Sequence, residues 1–300
     1  MCEKCIIFRT EFFFRDIKEV NKDTFDYKAI EKIADGRFST VFKGFQNGIG
    51  SERRTDGGDQ KKVIIKVYPK QAAVWRNSIE IKILKGLLKV DCFPQFLDAY
   101  NGDKYIFIVM EPAGESLKTV VSRSPNGKIS NENAVRVGFQ LLRAVRYLHL
   151  GGYMHREISS GKVLVGLIKN QVLIKLTGFG GATSIEVKNR RSSLFVQINM
   201  PPRPKYTVIE DFLKAVGVLV EIAVPNARGM EGINIKEYTM PALHNSQMWI
   251  GEIWQGLKKL VEEKNPDTDF MYGLLNNAVS GLNKKSPMSY SISNGSLILD

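Results

Sequence analysis

The spacing of apolar residues changes near residue 112, and this change constrains the fold more than any other feature. Before it, apolar runs of strand length occur at 29–34, 40–45, 63–67 and 105–110. One stretch with helical spacing lies among them, at 75–88. After it, longer stretches follow helical spacing at 131–150, 211–223, 248–262 and 269–282. A β-rich part followed by an α-rich part predicts an α+β fold with two lobes.

The same pattern sets the expected domain boundaries. The N-lobe is predicted over about 27–112 and the mainly helical C-lobe over about 113–282. Residues 1–26 carry many charges and are predicted to form an N-terminal extension, and residues 283–300 a C-terminal tail.

Composition and charge narrow the class of protein. With 43% hydrophobic and 25% charged residues, the chain has globular rather than disordered composition. A net charge of +12 favours acidic partners, which include phosphorylated proteins, acidic segments, anionic membranes and nucleic acid, although solubility alone would also account for it. Among these we expect a protein partner that is acidic or phosphorylated. We expect no specific nucleic-acid ligand and no transmembrane segment, since the apolar run 215–223 is too short to span a bilayer.

The cysteines and the N-terminus bear on the compartment. Three cysteines cannot form a disulfide framework, and Cys2 and Cys5 lack the second ligand pair that a zinc site needs. The short apolar run after Cys5 does not resemble a signal peptide. These features predict an intracellular protein, in the cytoplasm or the nucleus.

Residues 154–166 read MHREISSGKVLVG and combine an apolar frame with unusual polar residues. The frame is formed by Ile158 and by the run 163–165. A His-Arg pair alone is expected by chance, but the frame around His155 and Arg156 favours a functional loop. Glu157 and Lys162 follow Arg156 as the other charged residues of the loop.

Three other segments are spaced around this loop. The strand 63–66 ends in Lys66, and Glu80 follows 14 residues later on a predicted helix, where the two could form an ion pair or remain separate surface charges. The turn 33–41 retains Gly36 and Val41, but Ala34 and Ser39 occupy positions where a phosphate-binding turn has glycine. Residues 176–180 read Leu-Thr-Gly-Phe-Gly.

As a set, these segments resemble the motifs of the protein kinase superfamily, which occur in the same chain order. Within it the chain resembles the casein kinase 1 group and, more narrowly, the tau-tubulin kinases. The narrower resemblance rests on residues 107–157, on the 197–199 segment Gln-Ile-Asn in place of the group's S-I-N, and on Asp211 twelve residues further on. It covers roughly residues 27–282 and implies a bilobal protein-kinase-like fold.

The resemblance assigns a position to each quoted residue. Glu157 stands in place of the catalytic aspartate, and Ser159 in place of a lysine that contacts the γ-phosphate. Lys162 and Gly178 stand where the two Mg²⁺ ligands belong. Met110 falls at the gatekeeper position and Glu111–Ala113 at the hinge. The nucleotide-binding positions are Gly36, Val41, Lys66, Glu80, Met110, Glu111, Ala113 and Lys162.

Lys162 and Gly178 argue against ordinary Mg-ATP chemistry, because Mg²⁺ takes oxygen ligands and neither residue supplies one from its side chain. We therefore predict a pseudokinase that acts as a binding, regulatory or scaffold module. The alternative is a weakly active serine/threonine kinase that uses Glu157.

The cofactor prediction has two forms. Either no cofactor binds and Lys162 pairs with Glu157, or ATP binds without Mg²⁺ through Lys162 and Lys66. No metal site is predicted. The basic residues Lys188, Arg190 and Arg191 could dock a phosphorylated or acidic partner, or could be solvated loop residues.

Overall fold

A computed structural model of the chain describes residues 25–36, 39–48, 61–69, 79–102, 104–185, 206–227, 237–263, 273 and 286–300. The chain divides into two compact units, which are described one at a time. Unit 1 comprises Met1–Lys89 and Pro94–Ala113, and unit 2 comprises Val90–Phe93 and Gly114–Asp300.

Unit 1 is built on a five-stranded antiparallel sheet in the order β1-β2-β3-β5-β4. Its strands are β1 (Phe25–Asp35), β2 (Thr40–Gly48), β3 (Lys61–Pro69), β4 (Phe96–Asn101) and β5 (Tyr105–Met110). Alternate side chains project to opposite faces, and one face holds a buried cluster that includes Phe42, Ile65 and Phe107. Residues 79–86 form helix α1. The four predicted strands of this unit lie within β1, β2, β3 and β5, whereas β4 was not predicted.

Unit 2 contains four described helices, α2 (Leu117–Ser122), α3 (Asn131–Leu150), α4 (Val208–Ala223) and α5 (Met248–Glu263). Helix α3 begins where the Ser130 hydroxyl accepts the Asn133 N–H. Helix α4 begins with a capping box between Thr207 and Glu210 and is buried along most of its length. Helices α3, α4 and α5 match predicted ones, and the predicted helix 269–282 falls outside the described residues apart from residue 273.

Unit 2 also contains strands, which the prediction of a mainly helical C-lobe did not resolve. A three-stranded sheet has the order β6-β8-β9, from β6 (Glu115–Ser116), β8 (Val163–Ile168) and β9 (Gln171–Leu176). Two two-stranded sheets pair β7 (Tyr153–Met154) with β10 (Thr183–Ser184), and β11 (Tyr290–Ser293) with β12 (Ser296–Leu299).

The α+β class predicted from the apolar spacing is confirmed. Residues 286–300 fall within the segment predicted as a tail, and they form a hairpin whose Leu299 is fully buried. Within the described parts of the chain, none of the helices combines the length and the hydropathy needed to cross a membrane.

Candidate functional site

Unit 1 carries a buried ion pair between strand β3 and helix α1. The Lys66 ammonium lies 2.8 Å and 3.0 Å from the two carboxylate oxygens of Glu80, the residue at the predicted spacing. Glu80 is fully buried, so the alternative in which both are surface charges does not hold. The Tyr68 hydroxyl also donates to Glu80, and the Lys66 ammonium lies 5.1 Å from the centre of the Tyr68 ring. A buried charge needs such partners, because desolvation is otherwise costly.

Sequence reasoning missed Tyr68. Alternation along β3 was the available signal, because Lys66 and Tyr68 are two residues apart and therefore share a face of the sheet.

The β1–β2 turn and the end of β5 hold the other predicted residues of unit 1. The Gly36 N–H donates to the Ser39 carbonyl at 2.7 Å, and Val41 lies on β2 opposite Lys66 on β3. At the end of β5, Met110 is buried and the Glu111 N–H donates to the Gln95 carbonyl at 2.9 Å.

Glu111 and Ala113, at the two ends of the predicted hinge, differ in exposure. The Glu111 carboxylate pairs with Lys61 at 2.9 Å on the surface of the unit. Ala113 is buried and is the final residue of unit 1 in this part of the chain.

In unit 2, the loop that begins at His155 is held by Asp211 of helix α4. The Asp211 carboxylate accepts the backbone N–H groups of His155 and Arg156, both at 2.7 Å. It also accepts the Tyr206 hydroxyl at 2.7 Å and lies 2.9 Å from Nε2 of His149. Burial raises the pKa of Asp211, but hydrogen bonding and charge from His149, with contributions from His155 and Tyr206, outweigh burial and leave the pKa below its usual range.

His155 fits this environment as a neutral imidazole. It is fully buried, its Nδ1 accepts the Glu157 N–H at 3.3 Å, and its Nε2 lies 2.9 Å from the Thr177 carbonyl oxygen. A neutral ring protonated on Nε2 satisfies both contacts, whereas protonation of Nδ1 would break one. Burial lowers the pKa of His155 to about 4, and the nearby Asp211 carboxylate only partly opposes this shift.

Arg156 adopts a left-handed backbone conformation, with φ of 71°. Its N–H is fixed by Asp211, and its carbonyl accepts the Lys214 ammonium at 2.5 Å. The cationic groups of Arg156 and Lys214 lie 5.2 Å and 5.4 Å from the centre of the Tyr206 ring. Sequence reasoning missed Lys214, whose position one turn after Asp211 on α4 was the available signal.

Glu157 and Lys162 of the loop form an ion pair. The Lys162 ammonium donates to the Glu157 carboxylate at 2.5 Å, and both side chains are partly exposed. Two glycines make room for the pair. A Cβ on Gly178 would lie 3.0 Å from Cδ of Lys162, and a Cβ on Gly181 would lie 2.5 Å from Cδ of Glu157.

The positions expected to bind metal do not suit Mg²⁺. Lys162 is a cation engaged with Glu157, and Gly178 has no side chain, so neither supplies the oxygen ligand that Mg²⁺ prefers. Ser159 is buried, and its carbonyl accepts the Lys162 N–H at 2.9 Å. Among the residues that the structure describes, no group of three or more His, Cys, Asp or Glu side chains could hold a metal ion.

Several predicted features lie outside the described residues. They are the cysteines at 2 and 5, the basic residues Lys188, Arg190 and Arg191, and the 197–199 segment.

Comparison with known proteins decides the family. The family model for the protein kinase domain matches residues 27–202, more than half of the chain. The chain belongs to the protein kinase family. This protein kinase domain includes the Lys66–Glu80 pair of unit 1 and the Glu157–Lys162 pair of unit 2.

Its relatives are named as kinases in three organisms. A probable serine/threonine-protein kinase of Dictyostelium discoideum is 24% identical over 90% of this chain and 57% of its own length. CDPK-related kinase 5 of Arabidopsis thaliana is 31% identical over 57% of this chain and 30% of its own length. The probable serine/threonine-protein kinase zyg-1 of Caenorhabditis elegans is 31% identical over 53% of this chain and 21% of its own length. The chain thus spans less than two thirds of each of these relatives.

Proposed function

We propose that this protein kinase domain is a pseudokinase, impaired in Mg-ATP phosphoryl transfer, that acts as a binding or regulatory module. The ion pair between Lys162 and Glu157 carries the proposal. The pair neutralises Glu157, which by resemblance stands in place of the catalytic aspartate, and it holds the ammonium of Lys162, which by resemblance stands in place of a metal ligand.

Electrostatics supports this proposal. Two unit charges about 4 Å apart repel by about 4 kcal/mol at an effective dielectric constant near 20, and a divalent ion roughly doubles that figure. A Mg²⁺ ion beside Lys162 would therefore be strongly disfavoured, and Gly178 offers no side chain to compensate. Only about 3 kcal/mol is enough to slow a reaction more than a hundredfold.

The finer family assignment is also a proposal. The segment 107–157 and the spacing between Asn199 and Asp211 support membership of the casein kinase 1 group, near the tau-tubulin kinases. The net charge of +12 supports a protein partner that is acidic or phosphorylated. An intracellular location is proposed with it, because three cysteines are too few for the disulfide framework of a small secreted protein.

Nucleotide binding is a separate part of the proposal. Lys66 is held by Glu80 and remains slightly exposed, so one of its N–H groups could meet a phosphate. Lys162, by contrast, is already neutralised by Glu157. This favours the alternative in which Lys162 does not bind a nucleotide.

A thermal-shift titration with ATP distinguishes a domain that binds no nucleotide from one that binds ATP without Mg²⁺. We expect ATP to leave the melting temperature unchanged, both with Mg²⁺ and with EDTA. An equal shift under both conditions that is lost in Lys66→Ala, but not in the control Lys82→Ala on exposed helix surface, would establish metal-free binding instead.

Transfer itself is tested with radiolabelled ATP and casein or myelin basic protein. We expect no incorporation above a blank without the protein. Incorporation that Lys66→Ala abolishes and Lys82→Ala preserves would refute the proposal in favour of a weakly active serine/threonine kinase using Glu157. Incorporation unchanged by Lys66→Ala would come from a contaminating kinase, and its removal by further purification would leave the proposal standing.

A further inference from the structure

Within unit 2, the hairpin of β11 and β12 packs beside helix α2 and the start of helix α3. Its turn, Asn294–Gly295, has two left-handed residues with φ of 49° and 73°, as a tight two-residue hairpin requires. Its inward-facing side chains, Leu297 and Leu299, are buried, and Met288 just before it is buried as well.

The groups recognised on the hairpin segment are main-chain groups. The Ser124 hydroxyl donates to the Leu299 carbonyl at 2.7 Å. The Asn133 amide donates to the carbonyls of Ser289 and Asp300 at 2.8 Å and 2.9 Å, and its oxygen accepts the Ser289 N–H at 3.0 Å. Such contacts select an extended backbone rather than particular side chains.

Asn133 shows that the docking is built into the unit. Its side chain is fully buried on the first turn of α3, and most of its hydrogen bonds go to residues 289 and 300. Without the hairpin segment, a buried amide would lose those partners, which is costly. The surface of α2 and α3 is therefore shaped for this segment.

Arg123 joins the hairpin to the sheet that follows the degenerate catalytic loop. Its guanidinium donates to the Leu297 carbonyl at 2.8 Å and 3.2 Å. The same group binds the Glu115 carboxylate through two N–H groups at 2.8 Å and 3.1 Å. Glu115 belongs to β6 and pairs with Val165 of β8.

Strand β8 begins at the residue after Lys162, and β6 pairs with Leu164 and Val165 of β8, two and three residues beyond Lys162. The residue before β6 also lies close to β8, because a Cβ on Gly114 would lie only 1.9 Å from the Val165 carbonyl oxygen. A displacement of β6 therefore has to be transmitted to β8.

We propose that segment 286–300 is a cis-acting strap that fixes β6, and through β8 the Glu157–Lys162 loop, by way of Arg123. An event that removes the strap also loosens the loop. This regulatory inference depends neither on nucleotide binding nor on catalysis, and it is tested independently of both.

The test is hydrogen–deuterium exchange of the full chain, combined with acetylation of Lys162 by acetic anhydride measured by mass spectrometry. Arg123→Met cuts both contacts of the guanidinium. We expect about fivefold faster exchange of the hairpin and of β8, and about fivefold faster acetylation of Lys162. The control Lys258→Met removes an exposed cation from helix α5 of the same unit and should change none of the three rates.

Glu115→Gln tests whether segment 286–300 acts on β8 through Arg123 and Glu115 or only packs against its neighbours. It weakens only the link from Arg123 to β6, so β8 exchange and Lys162 acetylation should rise while hairpin exchange stays at the wild-type rate. The proposal is overturned if Arg123→Met speeds exchange of the hairpin but leaves β8 and Lys162 unchanged. If Arg123→Met does not fold, Glu115→Gln decides alone, and wild-type rates throughout would refute the proposal.

Discussion

Asp211 should be among the most important single side chains for the stability of unit 2. The Asp211→Ala variant deprives four buried or partly buried donors of their acceptor: the N–H groups of His155 and Arg156, the Tyr206 hydroxyl and the His149 ring. Each buried group left unsatisfied costs about 1–3 kcal/mol, and removal of one partner from a buried charged network typically costs about 3–5 kcal/mol. We therefore expect the free energy of unfolding to fall by about 4 kcal/mol.

Urea unfolding followed by tryptophan fluorescence measures this change in unit 2 when both variants carry Trp75→Phe, because Trp75 belongs to unit 1. Trp249 and Trp254 are buried on α5 within unit 2. With a urea dependence of about 3 kcal/mol per molar, the midpoint should fall by about 1.3 M. The control Asp91→Ala removes an exposed carboxylate of the same unit and should move the midpoint by less than about 0.2 M. Equal midpoints for the two variants would refute this account of Asp211.

Three other perturbations have defined outcomes. Burial holds the pKa of His155 near 4, below its ordinary 6.5, so the contribution of the neutral ring to the free energy of unfolding is complete above pH 6.5. That contribution is lost as pH falls from 6.5 towards 4, by about 3 kcal/mol in all. His155→Gln should flatten this part of the stability–pH curve in urea titrations. Gly114 has φ of 102°, and a Cβ there would lie 1.9 Å from a carbonyl oxygen, so Gly114→Ala should lower the free energy of unfolding by about 3 kcal/mol in the same assay. The control Gly161→Ala, whose Cβ would have its nearest contact at 3.9 Å, should lower it by under about 1 kcal/mol. Tyr68→Phe removes a hydrogen bond to Glu80 and should destabilise helix α1 by about 1 kcal/mol, seen as faster amide exchange there; an unchanged rate would contradict that role.

Much of the fold could be predicted from the spacing of apolar residues, because long helices and strands with a buried face make up most of it. Helix α3 was predicted at its observed bounds from its apolar stripe, and the Ser130 cap begins the helix at the same residue. The sequence left Lys66 and Glu80 as an ion pair or as separate surface charges, and the structure pairs them. In both cases, local pattern and tertiary packing favour the same arrangement.

The missed elements are short and depend on turns. The β8–β9 hairpin turns at Lys169 and Asn170, both of which have positive φ. The apolar runs on either side of this turn are short, so their spacing does not distinguish a strand from a loop or a helix. The Asn294–Gly295 pair between two β-prone runs is a strong hairpin signal that could have predicted β11 and β12. By contrast, the four-way hydrogen bonding of Asp211 joins residues up to 62 positions apart and has no local signature.

The packing around the two glycines also limits which single substitutions this part of the chain can accept. Gly181 leaves the space that the Glu157 carboxylate occupies, and the Lys162 chain lies against Gly178. A side chain at position 181 would displace the Glu157 carboxylate, and a carboxylate at position 178 would meet the Lys162 chain. A change at either glycine is therefore coupled to Glu157 or Lys162, so these four positions are expected to change together rather than one at a time.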